Sequence, residues 1–305
     1  MGGSADRRYN LSFIVDNSVK QGTPMIGVSL NYRLSAFGFP CGKEAKDAGV
    51  VNLGFKDQRL ALRWVQENIG AFGGSPSKVT IWGESSGAES VSAQTLAYGG
   101  RDDGLFRGVI AESGYGGLIP RYAGGMNASD AMQKTYDTLV RSTSCANTVG
   151  TPASLDCLRR LPLNEMHKAL NGTAANPWPP VLDGDFIADY PSKQLSDGRF
   201  PKVRVLIGCN SDEGSSFGTG YGPHGGGVNT DDEMRTAIAT IIGPGVQKTA
   251  GKTTAQVVDE LMFLYPNIQA VGNPSMDKWP AIQPGDFVAT AMGAQYRRTA
   301  ALFGD

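Results

Sequence analysis

The stretch from Ser77 to Gly100, SKVTIWGESSGAESVSAQTLAYGG, changes character twice. Lys78 to Trp82 is β-branched and aromatic, the pattern of a short buried strand. Ala88 to Tyr98 carries Ala, Val and Leu at helical spacing, and Gly99-Gly100 supplies a stop signal. Between them lies Gly83-Glu84-Ser85-Ser86-Gly87, a G-x-S-x-G turn. A strand, this turn and a helix together describe a nucleophile elbow. Its tightness restricts the flanking positions to glycine and throws the Ser85 Oγ clear of the backbone at the helix N-terminus. There the Ser86 N–H, aided by the helix dipole, points at a developing oxyanion. Gly214-Ser215-Ser216-Phe217-Gly218 also matches the pattern, but it runs into TGYGPHGGGV with no helix behind it. The motif counts only in its strand–turn–helix context, so Ser85 rather than Ser216 is the candidate nucleophile.

Composition narrows the class. A chain of 305 residues holds one large domain or two small ones, and 40% hydrophobic residues supply a substantial core. The 28 basic and 29 acidic residues form no charge run, which argues against nucleic acid or an anionic membrane as partner. No apolar run approaches transmembrane length. The opening MGGSADRRYN has no apolar region behind it, so the chain as it stands shows no signal peptide. Two features point outward nonetheless. Asn-x-Ser/Thr sequons occur at Asn10, Asn127 and Asn171, although chance also yields such tripeptides. Cys145 and Cys157 bracket CANTVGTPASLDC, a segment that can close as a disulfide loop or hold reduced, buried thiols.

Along the chain, residues 23–33 (TPMIGVSLNYR) read as a strand ending in a polar turn, and 34–54 as loop. FKDQRLALRWVQENIGAFGG reads as a helix with Leu60, Trp64 and Val65 on one face. LFRGVIAESG reads as another strand. Strands alternating with helices imply a mostly parallel central sheet in an α/β fold. Short helices are expected around 128–142, 151–161 and 163–170, followed by the Pro-rich NPWPPVLDGDF. The region around 120–200 is expected to be a helical insertion over the sheet's edge, within a single domain covering 1–305. Residues 202–210 return to strand, with helices near 231–242, 253–264 and 284–303.

FGGSPSKVTIWGESSG, from Phe72 to Gly87, resembles the serine-site signature of the type B carboxylesterase/lipase family, which includes cholinesterases and fungal extracellular lipases. NLGFKDQRLALRWVQENIGAFGG resembles the family's helix leading into that site, and SLNYRLSAFGF its Asn-Tyr-Arg strand end. The resemblance implies an α/β-hydrolase fold and hydrolysis of small-molecule or lipid carboxylic esters through an acyl-enzyme, with no cofactor and no metal. It implies Ser85 as nucleophile, Ser86 as an oxyanion-hole donor and Glu213 of VLIGCNSDEGSSF as the triad acid, with Asp212 the rival. A carboxylate just past a strand end suits an active site of a parallel sheet. Cys145–Cys157 matches a disulfide loop of the fungal lipase branch, which favours secretion for the full-length family member; Cys41 and Cys209 are expected to stay outside disulfides. Oligomeric state is not legible.

Two departures follow from the same resemblance. The family's glycine oxyanion loop is expected before MGGSADRRYN, with Gly2-Gly3 its tail, and its histidine beyond TAALFGD, so the chain reads as a central piece truncated at both ends. His167 precedes Glu213 on a helical stretch, against the family order. His224 follows Glu213 by eleven residues in a glycine-rich loop, a poor support for a base that must be oriented against Ser85. A weak or inactive esterase is the expectation for this chain alone. The competing class is a non-catalytic, cholinesterase-like interaction module, against which a strained elbow argues.

Overall fold

The structure is a computed structural model that describes residues 3–117, 126, 129–172, 177–210, 228, 230–242 and 251–265. The chain divides into two compact units, Met1–Ile207 and Gly208–Asp305. The first contains helices α1 (Ser12–Lys20), α2 (Ser35–Gly38), α3 (Lys43–Asp47), α4 (Leu53–Asn68), α5 (Ser86–Gly100), α6 (Ser129–Arg141), α7 (Ala153–Arg159), α8 (Leu163–Leu170) and α9 (Pro191–Ser196). Strands β1 (Thr80–Glu84), β2 (Gly108–Glu112) and β3 (Arg204–Gly208) form a sheet in the order β1-β2-β3. β1 and β2 run parallel, in register from Thr80 opposite Gly108 to Glu84 opposite Glu112.

One face of this sheet packs on α4 and α5. Leu62, Ala88 and Val91 meet Val109 and Ala111, with Leu105 and Phe106 closing the cluster and Ile81 packed against it. Side chains alternate along a strand, so Trp82 points the other way and stays 46% exposed. α4 buries Phe55, Gln58, Arg59, Leu62 and Val65, a stripe at helical spacing. The expected grouping of Leu60, Trp64 and Val65 as one packed face is corrected here. Val65 is buried, but Leu60 and Trp64 are 66% and 47% exposed, because they lie around the helix from the stripe that meets α5.

The segment read as strand over 23–33 also differs. It is extended but joins no ladder among the described residues. Its backbone is held piecemeal: Met25 N–H donates to Ser18 Oγ at 3.1 Å and Arg33 N–H to Asp57 Oδ2 at 3.1 Å. Residues 34–54, expected as loop, instead wind into α2 and α3 before α4 begins.

The expected helices of the insertion are present as α6, α7 and α8. Their core joins Tyr136, Leu139, Val140, Leu158, Met166 and Ala169 to Ala36 of α2. Cys145 and Cys157 form a disulfide with Cα atoms 5.8 Å apart. Cys41 is a buried thiol, its pKa pushed up to about 12 by burial, and Cys209 is an exposed cysteine. Asn52 ties the Pro-rich segment to the start of α4. Its amide exchanges both hydrogen bonds with the Val181 backbone, at 2.9 and 2.8 Å, and donates to Asp183 Oδ2 at 2.9 Å.

In the second unit, helices Asp231–Ile242 and Thr254–Leu264 pack through Met234, Ile238, Val258 and Met262, with Val228 added from outside them. A capping box between Thr253 and Gln256 starts the second helix. The helix expected at 284–303 lies outside the described residues.

Candidate active site

β1 ends at Glu84 and α5 begins at Ser86, which leaves Ser85 as the whole of the turn. Its backbone sits at φ 56°, ψ −120°, in neither the helical nor the strand basin. Such a conformation in a non-glycine residue costs about 1–3 kcal/mol and persists only where surroundings over-determine it. Three contacts do so. Ser85 N–H donates to the Glu112 carbonyl at 2.9 Å, extending the β1–β2 pairing one residue past the strand. The Ser85 carbonyl accepts from Glu89 N–H at 3.0 Å, opening the helical ladder. A Cβ on Gly83 would lie 2.2 Å from the Gly87 carbonyl oxygen, so the close crossing of the turn's two arms requires glycine there.

The consequence is an exposed serine at the head of a helix. Among the described residues no hydrogen bond engages its Oγ. Ser86, the first residue of α5, carries one of the leading N–H groups that lack an intrahelical acceptor. Beside the turn, Trp82 Nε1–H donates to Glu112 Oε1 at 2.6 Å, and Glu84 stands opposite Glu112 in the ladder. The loop after β2 forms a wall. Ser113 and Gly114 both have positive φ, at 57° and 144°, and a Cβ on Gly114 would sit 3.6 Å from the Ser85 carbonyl. Buried Ser92 holds that wall through a 2.8 Å hydrogen bond from Gly116 N–H.

Beneath the turn runs a buried polar chain that pattern reading missed. Ser90 Oγ donates to the Ser86 carbonyl at 2.9 Å, and Gln58 Nε2 donates to Ser90 Oγ at 3.0 Å. Gln94 Nε2 reaches Gln58 Oε1 at 3.3 Å and the Phe55 carbonyl at 2.9 Å. Arg59, only 2% exposed, donates to the carbonyls of Gln94 and Arg101 and to Asp103 Oδ2 at 2.9 Å. Burial alone raises the Asp103 pKa, but the Arg59 hydrogen bond, with Arg101 and Arg63 nearby, outweighs it and leaves the carboxyl below its ordinary value. These groups pin α5 to α4 from Ser86 to Gln94, and the segment just past α5 at Arg101. The available signal was polar residues at spacings that place them on the inward stripe of two helices.

His167 lies on α8 and meets the Phe37 ring edge-on, centroids 5.9 Å apart. Glu213, Asp212, His224, Ser216 and Asn127 fall outside the described residues. Among the described residues no cluster of three His, Cys, Asp or Glu side chains is placed to hold a metal ion. No described helix is long and apolar enough to cross a membrane.

The description of the carboxylesterase family matches residues 1–277. The chain belongs to that family. It is 34% identical over 286 residues to the secreted triacylglycerol lipase LIP1 of Gibberella zeae, covering 90% of this chain and 45% of that protein. It is 33% identical over 321 residues to secreted lipase 1 of Botryotinia fuckeliana, covering 100% of this chain and 50% of that protein. The crystal structure of Aspergillus niger EstA superposes with a TM-score of 0.62 and 28% identity, over 90% of this chain and 47% of that one. The fold of this carboxylesterase-family chain is the α/β-hydrolase fold, and its resemblance to the fungal secreted lipases holds along almost its whole length. The chain spans half or less of the length of these relatives.

Proposed function

We propose that this chain carries the nucleophile of a serine hydrolase of carboxylic esters. The observation that carries the reading is the backbone of Ser85, held at φ 56°, ψ −120° with its side chain exposed at the start of α5. A scaffold has no use for that strain. Ser85 Oγ attacks the ester carbonyl, the Ser86 N–H donates to the oxyanion, and the alcohol leaves to give an acyl-serine that water hydrolyses. Glu213 orients the imidazole that takes the serine proton, and side chains and backbone suffice for each step. The names of the fungal relatives favour acylglycerols or other lipid esters as substrates, and those names together with the disulfide favour export.

Neither His167, packed on Phe37, nor His224 is assigned as the base, so the chain by itself is a weak esterase. Loss of a triad member lowers the rate by several powers of ten. A fluorophosphonate probe followed by peptide mass mapping tests the nucleophile. Slow phosphonylation confined to Ser85 and absent from Ser85→Ala is expected. Equal labelling of both proteins would sink the assignment. p-Nitrophenyl ester turnover abolished by both Ser85→Ala and His224→Ala would make His224 the base and the chain a complete enzyme.

A further inference from the structure

Two of the three sequons have an asparagine among the described residues, and the fold treats both alike. Asn10 lies just before α1, and Asn171 immediately follows α8. Both are exposed. Asn52, which belongs to no sequon, shows the contrast: it is fully buried with both amide atoms engaged.

Among the described residues no hydrogen bond engages the side-chain amide nitrogen at either of the two sequons. Asn171 is fastened through its backbone, its N–H donating to the His167 carbonyl at 2.9 Å, while no hydrogen bond engages its side chain among the described residues. The inward residues of α8 are Met166 and Ala169, so packing of that helix makes no use of Asn171. Among the described residues the Asn10 side chain engages through its oxygen alone: Oδ1 accepts from Ser12 N–H at 2.9 Å, which satisfies the first amide of α1. A substituent on Nδ2 leaves that acceptor intact. α1 buries none of its residues, so a bulky neighbour displaces no core contact. The Cys145–Cys157 disulfide independently points to maturation in an oxidising compartment, where sequons meet their transferase.

We propose that Asn10 and Asn171 are N-glycan acceptors. The donor class is an oligosaccharide linked through its reducing-end N-acetylglucosamine to a lipid diphosphate. The Asn Nδ2–C1 bond forms as the sugar C1–O bond breaks; the lipid diphosphate leaves with the bonding electrons, and the amide proton passes to the transferase's base. The product is a solubilising cover at two helix ends of the first unit.

The test routes the full chain through the secretory pathway of a yeast behind a cleavable leader. Medium and cell lysate are analysed together, so retained protein is read as well as exported protein. Enzymatic release of N-glycans converts a glycosylated asparagine to aspartate, and peptide masses identify the position. The expected result is Asp at positions 10 and 171. Asn10→Gln and Ser12→Ala should each remove one glycan step, and Asn171→Gln and Thr173→Ala the other. Unmodified Asn10 and Asn171 peptides in disulfide-bonded chain, or occupancy confined to Asn127, would overturn the proposal; occupancy at one of the two sites would remove the other from it.

Discussion

Residues 80–87 and residues 23–33 read alike in sequence: an apolar run that ends in polar or small residues. They fold differently. The first becomes β1 and its turn, paired in parallel with β2 through five consecutive residue pairs. The second stays extended without a ladder, with Met25, Ile26 and Val28 each more than 40% exposed. β1 owes its strand to β2, whereas the turn behind it owes most of its shape to the Gly83–Gly87 crossing and the Glu89–Ser85 hydrogen bond, both within five residues, with one distant fastening from Ser85 N–H to the Glu112 carbonyl. A strand is a property of two segments, but a steric turn is written almost entirely in its own residues.

The sharpest way to break that contrast is to add one methyl group to each segment. Gly83→Ala should destabilise by about 4 kcal/mol or more, because its Cβ would meet immovable backbone 2.2 Å away at Gly87. Gly27→Ala should lose less, about 1–2 kcal/mol, since its Cβ would meet side-chain atoms, Leu11 Cδ1 at 2.9 Å and Leu11 Cβ at 3.0 Å, beside a helix that buries none of its residues. Urea midpoints compare the two, and equal losses would mean that the Gly83–Gly87 crossing does not set the turn.

The arginines make a second pair. Arg59→Met removes a buried cation from Asp103 and two carbonyls beneath the elbow, and should cost about 3 kcal/mol. Arg33→Ala removes a half-exposed partner of Asp57 at the end of the extended segment, and should cost about 0.5–1 kcal/mol. Between these lies the disulfide: Cys145→Ser with Cys157→Ser should cost about 2–3 kcal/mol, read as a lowered thermal midpoint. That loss should leave phosphonylation of Ser85 unchanged, since the bridge staples the α6–α8 region and not the elbow.

The smallest effect concerns pH. The Arg33 hydrogen bond holds the Asp57 carboxyl below its ordinary value. Its contribution is therefore complete above the unfolded value of about 3.9 and is lost as pH falls through the lower folded value. Wild type should lose slightly more stability than Arg33→Ala on acidification through that window. Parallel curves would show that the pair adds nothing.

The elbow was legible in the sequence because most of its requirements are local: glycine at 83, a strand former before it, a helix former after it; the Glu112 carbonyl that accepts from Ser85 N–H was not legible. The disulfide was legible from spacing and resemblance, and α6 to α8 from periodicity and stop signals. The strand expected at 23–33 was not, because apolar alternation records a readiness to pair without naming a partner. Leu60 and Trp64 were misplaced for a related reason: a helix with apolar residues on two sides does not say which side meets its neighbour. The chain from Ser86 through Ser90, Gln58 and Gln94 to Arg59 and Asp103 was missed because each polar residue alone reads as surface, and only their shared spacing on the inward stripes of two helices carried the signal. Sequence alone determined the turn, since steric exclusion acts over a few bonds. Only the tertiary structure decided which apolar faces are covered and which polar groups are buried, since burial depends on segments brought together from far along the chain.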